Sequence, residues 1–114
     1  MSSAAAATTS RRIRVLNDNF RSTLIGGQVV MTQGVNDLTL GTKARVLLAV
    51  QSFNDFTSDN DPHHEHDFGS FEIEGETYFF KLDYYAPDMD GGSEDPADPE
   101  KTARVLTIMR ADEY

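Results

Sequence analysis

A chain of 114 residues is long enough for one domain with its own core, and the absence of cysteine excludes disulfides and thiolate metal sites. The longest apolar runs, such as Val46 to Val50, fall far short of the about 20 residues that a membrane-spanning helix requires. Charge is divided unevenly: residues 1–54 hold six Lys/Arg and two acids (+4), while residues 55–114 hold four Lys/Arg and seventeen acids (−13), for a formal net charge of −9.

Residues 1–10 are mostly Ala, Ser and Thr, with no apolar stretch of signal-peptide length. They read as a disordered tail ahead of a single α+β domain over residues 11–114, and a cytoplasmic location is expected. Thr9 or Ser10 can cap a helix whose apolar positions are Ile13, Leu16, Phe20 and Leu24, at helical spacing. Arg11, Arg12, Arg14 and Arg21 lie mostly off that stripe, and Gly26-Gly27 ends the helix. Residues 28–32 form a short strand, followed by turn signals at Gln33-Gly34 and Asn36-Asp37. Thr42 can cap a second helix reaching about Phe56, with a stripe of Val46, Val50 and Phe53.

After a polar loop over residues 57–67, Phe71 and Ile73 alternate with Glu72 and Glu74, the period of a half-buried strand. Gly75-Glu76 connects it to residues 77–85, where Tyr78, Phe80, Leu82 and Tyr84 share one face and Phe79, Lys81, Asp83 and Tyr85 the other. Residues 86–100 form a long acidic loop with three prolines. Residues 103–110 read as a third antiparallel strand; the rival is a helix capped by Asp98 with Pro99 at its first position. The expected order is α-β-α-β-β-β: two helices packed on a small, mainly antiparallel sheet.

Two groups of residues could carry function. The first is His63, His64, Glu65, His66 and Asp67, within the segment that holds all three histidines. Imidazoles and carboxylates suit zinc or another divalent metal, or acid–base catalysis, in either an extended or a single-turn helical arrangement. No spacing matches a known catalytic metal motif, and no nucleophile elbow or phosphate-cradling glycine loop is present. The second group is acidic: Glu72, Glu74, Glu76, Asp88, Asp90, Glu94, Asp95 and Asp98. A half at −13 repels phosphate backbones, so direct nucleic-acid binding is not expected. The same charge suits a basic protein surface.

Several ungapped stretches are distinctive: Asn17-Asp18-x-Phe20-Arg21, Asp59-Asn60-Asp61-Pro62-x-x-Glu65-His66-Asp67-Phe68-Gly69, Lys81-x-Asp83-Tyr84-Tyr85, Asp95-Pro96-x-Asp98-Pro99 and Arg104-Val105-Leu106-Thr107-Ile108-Met109. On these the chain, from about residue 11 to Tyr114, resembles a bacterial domain-of-unknown-function family associated with alphaproteobacterial chromosomes and plasmids. The resemblance implies a small accessory protein and carries over no cofactor and no catalytic residue.

The sequence shows no recognisable enzyme active site. The expected function is that of a small acidic inhibitor, a DNA mimic of the anti-CRISPR or anti-restriction type. It would use the eight acidic residues to block a basic, nucleic-acid-binding surface of a host protein. The alternatives are a metal-dependent or acid–base enzyme centred on residues 63–67, and a host accessory domain forming a homodimer through a sheet edge or the wetter aromatic face.

Overall fold

The computed structural model describes residues 3–114. Helix α1 spans Ser3–Thr23, so it begins upstream of the capping residues Thr9 and Ser10. Of the expected disordered tail, Met1 and Ser2 lie outside the described residues. The apolar stripe faces inward as read: Ile13 and Phe20 are buried and Leu16 and Leu24 half-buried. The helix stops because Leu24 turns left-handed (φ 60°) while its amide still bonds to the Phe20 carbonyl. Gly26 (φ 117°) completes the reversal.

Strand β1 covers Gln28–Met31. The turn signals after it fold into a short helix α2, Gln33–Asn36, whose Val35 is fully buried. Helix α3 runs Leu40–Ser52, three residues ahead of the expected start and four short of the expected end. Its cap is Thr39, whose hydroxyl accepts from the Thr42 amide, so Thr42 sits in the first turn instead of capping it. Val46 and Val50 are buried as the stripe required.

Strand β2 is Phe68–Ile73 and β3 is Glu76–Tyr85, joined through Glu74 (φ 54°) and Gly75 (φ 82°). Two successive left-handed residues are the signature of the two-residue hairpin turn that matches strand twist. Strand β4, Ala103–Arg110, settles the choice between strand and helix at residues 103–110. The helix signal Asp98-Pro99 is realised only as a 3-10 turn, Pro99–Lys101, which gives way to extended backbone at Thr102. A second 3-10 turn, Ala111–Glu113, ends the chain's regular structure.

The sheet order is β1-β4-β3-β2. β4 runs antiparallel to β3 but parallel to β1, so the sheet is mixed, with its last strand in the interior. One face carries Tyr78, Phe80, Leu82, Leu106 and Ile108 against Phe20 of α1 and Val46 and Val50 of α3. Each such fully buried side chain contributes about 1.5–3 kcal/mol. Gly69 lies opposite Phe80 in the β2–β3 register, and a Cβ there would collide with the Phe80 ring. The opposite face carries Phe79, Lys81, Thr107 and Met109, with Phe68 and Phe79 packed on Tyr114 at ring-centroid distances of 6.3 and 5.6 Å. Among the described residues no helix is long and apolar enough to cross a membrane.

Candidate functional site

Polar residues gather where α1, the loop between α3 and β2, and strands β3 and β4 meet. Asn17 lies on the apolar stripe of α1, one turn after Ile13, and is fully buried. Its side chain is completely used. Nδ2 donates to the Glu65 carbonyl (2.9 Å) and the Tyr84 hydroxyl (2.8 Å), and Oδ1 accepts from Arg104 Nε (2.8 Å). Tyr84 in turn donates to Glu65 Oε1 at 2.8 Å, and burial pushes its hydroxyl pKa well above the usual value. Arg104 reaches the Pro96 carbonyl and lies over the Tyr84 ring at 5.3 Å, with burial drawing its pKa down. A buried polar group is tolerated when its partners are present, and here each supplies another's partner.

A second chain of contacts orders the loop itself. Asp61, 4% exposed, accepts the amides of both Glu65 and His66 on one oxygen at 3.1 Å each. His66 lies between two carboxylates: Nδ1 meets Asp18 at 2.9 Å and Nε2 faces Asp61 at 3.7 Å. Its ring stacks on Phe56 at 3.8 Å. Asp18 also pairs with Arg21 at 3.0 Å. Arg21 donates to the carbonyls of Val50 and Phe53 at the end of α3, the first of which also accepts from the Phe53 amide. Its guanidinium sits 5.3 Å from both the Phe56 and Phe80 rings. Arg21, expected off the apolar stripe, is therefore buried, and its Nε is the one buried side-chain nitrogen or oxygen without a hydrogen-bond partner among the described residues.

The histidine segment is dispersed by this arrangement. Left-handed backbone at His64 and His66 (φ 56° at each) breaks both the extended and the helical-turn geometry considered for it. His66 and Glu65 turn inward to Asp18 and Tyr84, while His63 and His64 stay exposed. Asp67 enters β2 half-buried, with its pKa raised chiefly by burial and, less, by Asp61 and Asp83. Among the described residues no three His, Asp or Glu side chains are grouped to hold a metal ion. Both nitrogens of His66 face carboxylates.

The eight acidic residues do not form one surface. Glu72, Glu74 and Glu76 sit at the β2–β3 turn, and Asp88, Asp90, Glu94, Asp95 and Asp98 follow the far end of β3. Nine residue steps of strand separate Glu76 from Tyr85, roughly 30 Å at the usual rise. At the turn, Glu74 pairs with Arg45 (3.5 Å) and Glu76 with Arg110 (3.2 Å). In the loop after β3, Asp95 and Asp98 are half-buried and cap the amides of Ala97 and Glu100, while Asp88, Asp90 and Glu94 are exposed.

That loop is ordered by its own backbone. Ala86 and Gly91 bond at 3.0 Å, Met89 to Ala86 at 2.8 Å and Ser93 to Tyr84 at 3.1 Å. Thr102 Oγ1 lies 2.9 Å from the carbonyls of both Asp95 and Asp98, and Ser93 Oγ bonds the Lys101 carbonyl at 2.8 Å. Of the residues around the junction, Asn17, Asp18, Arg21, Asp61, Tyr84 and Arg104 were not picked out from sequence as site residues. The available signal was a polar Asn17 in line with Ile13 and Phe20 on a stripe otherwise apolar.

Comparison with known proteins found no match among curated proteins and none among solved structures. A family model described as "Protein of unknown function (DUF3768)" matches residues 31–113. The match includes Asp61, Glu65, His66, Tyr84 and Arg104, while Asn17, Asp18 and Arg21 of α1 precede it. With well over half of its length matched, the chain belongs to the DUF3768 family.

Proposed function

We propose that this protein is a binding module and not an enzyme, and that it acts in the cytoplasm by occupying a basic, nucleic-acid-binding surface of another protein, as anti-CRISPR and anti-restriction inhibitors do. The observation that carries the reading is the ordered loop over residues 86–98. It holds Asp88, Asp90 and Glu94 exposed on a backbone tied to Tyr84, Lys101 and Thr102. An interface whose loop is already ordered loses less entropy on binding than a mobile one. Like charges on it steer a basic partner and make association salt-dependent. Glu74 and Glu76 of the turn contribute less, because they already have cationic partners, as does Glu94, which pairs with Lys101 at 3.4 Å; Asp88 and Asp90 have none among the described residues.

The test is a pair of charge-reversal variants used as bait for a basic nucleic-acid-binding protein, with elution by a salt gradient. Asp88→Lys, Asp90→Lys and Glu94→Lys together should lose the partner. Glu72→Lys, Glu74→Lys and Glu76→Lys together should lose it less completely. Retention by the loop variant at unchanged salt refutes the reading.

A second reading is favoured by the sheet's other face, where Phe68, Phe79 and Tyr114 cluster. A homodimer through that face would have a mass that rises with concentration and returns to monomer on Phe79→Glu.

A further inference from the structure

Arg21, Arg45 and Arg110 each pair with a carboxylate. Among the described residues Arg11, Arg12 and Arg14 have no such partner, although the chain carries 19 acids. Arg11 and Arg14 lie one turn apart on α1 and face a groove of about 570 Å³ across from the loop that precedes β2. Ser10, His63 and His64 line it with them. The one carboxylate at its wall is Glu65, whose Oε1 accepts the Tyr84 hydroxyl.

The groove's far wall is held in place from below. Asp61 binds the Glu65 and His66 amides, the His64 amide bonds the Asp61 carbonyl at 3.1 Å, and Arg14 donates to the His64 carbonyl at 3.2 Å. The polar junction thereby holds the two exposed imidazoles opposite two guanidinium groups.

We propose that this groove binds the phosphate group of a small phosphorylated molecule. Two guanidinium forks, two imidazoles and a hydroxyl suit an acceptor that offers several oxygens in different directions, as a phosphate does. The volume falls within the about 300–1,000 Å³ usual for small-molecule pockets. A small ligand fits better than a nucleic-acid strand, because the −13 over residues 55–114 repels an extended phosphate backbone. The proposal stands independently of the acidic-loop reading, since it uses none of the same residues.

Calorimetric titration of the full chain with inorganic pyrophosphate at about 0.15 M salt, where the Debye length is about 8 Å, tests it, with Arg11→Glu and Arg12→Glu compared. Both arginines are exposed and on the same helix, but Arg12 does not line this groove. The expected result is saturable one-to-one binding, weakened about tenfold or more by Arg11→Glu, the scale of losing one charge-assisted contact. Arg12→Glu should change it by no more than about twofold, as a screened long-range charge would, and His63→Ala should weaken it. Three outcomes overturn the proposal: no saturable binding, equal weakening by Arg11→Glu and Arg12→Glu, or binding seen with an oligonucleotide and not with pyrophosphate.

Discussion

Asp61 orders the loop between α3 and β2, and replacing it with Ala is a demanding test of the polar junction. One of its oxygens accepts two amides, those of Glu65 and His66, at 3.1 Å each, and the residue is 4% exposed. Hydrogen bonds to a charged group are worth about 1.5–3 kcal/mol, with the lower end apt where the donors are part-buried, so losing two costs about 3 kcal/mol. A domain of this size has only about 6–17 kcal/mol in total. Asp61→Asn keeps a carbonyl oxygen at the same position and should cost no more than about half as much. Urea denaturation of the two variants beside the parent measures both numbers. If Asp61→Ala costs less than about 1 kcal/mol, or if Asn is as damaging as Ala, the two amide contacts do not hold the loop and the reasoning fails.

Gly69→Ala places a methyl group against the Phe80 ring and should cost about 1–3 kcal/mol by overpacking, read from the same denaturation curves. Asp67 has its folded-state pKa raised above the ordinary 3.8, chiefly by burial. Its protonated form therefore favours folding below the unfolded pKa, and that contribution is lost as pH rises through the folded value. Asp67→Asn should accordingly raise the midpoint of thermal unfolding at pH 7, and the gain should vanish near pH 3; a gain independent of pH would contradict the assignment.

Much of the sheet was legible because strand period and aromatic content act locally. Tyr78, Phe80 and Leu82 alternate inward as their spacing requires. Strand β4 was harder, since Asp98 and Pro99 do start a helical turn; pairing on both sides, with β1 and β3, is what keeps residues 103–110 extended. That pairing is non-local, as is the parallel register with β1. The start of α3 was misplaced because Thr39 and Thr42 both suit a cap, and only the turn ending at Leu38 decides between them.

The polar junction was less legible still. Asn17 and Arg104 are 87 positions apart and Asn17 and Tyr84 are 67, so nothing in either neighbourhood names the other. Arg21 reads as a surface cation until the end of α3 supplies carbonyls for it to bond. The acidic residues were legible as a count but not as a surface. Glu76 and Asp88 are close in sequence, yet a ten-residue strand lies mostly between them and carries them to opposite ends of the sheet.

Competition between the acidic loop and nucleic acid for a basic surface is measured directly by displacement. The captured partner would be purified, loaded with fluorescently labelled nucleic acid, and titrated with this protein while anisotropy is followed. The parent chain is expected to release the nucleic acid, with the effect weakened by rising salt and abolished by reversing Asp88, Asp90 and Glu94 to Lys. A partner that holds this protein and its nucleic acid together, with anisotropy undiminished, would contradict the account.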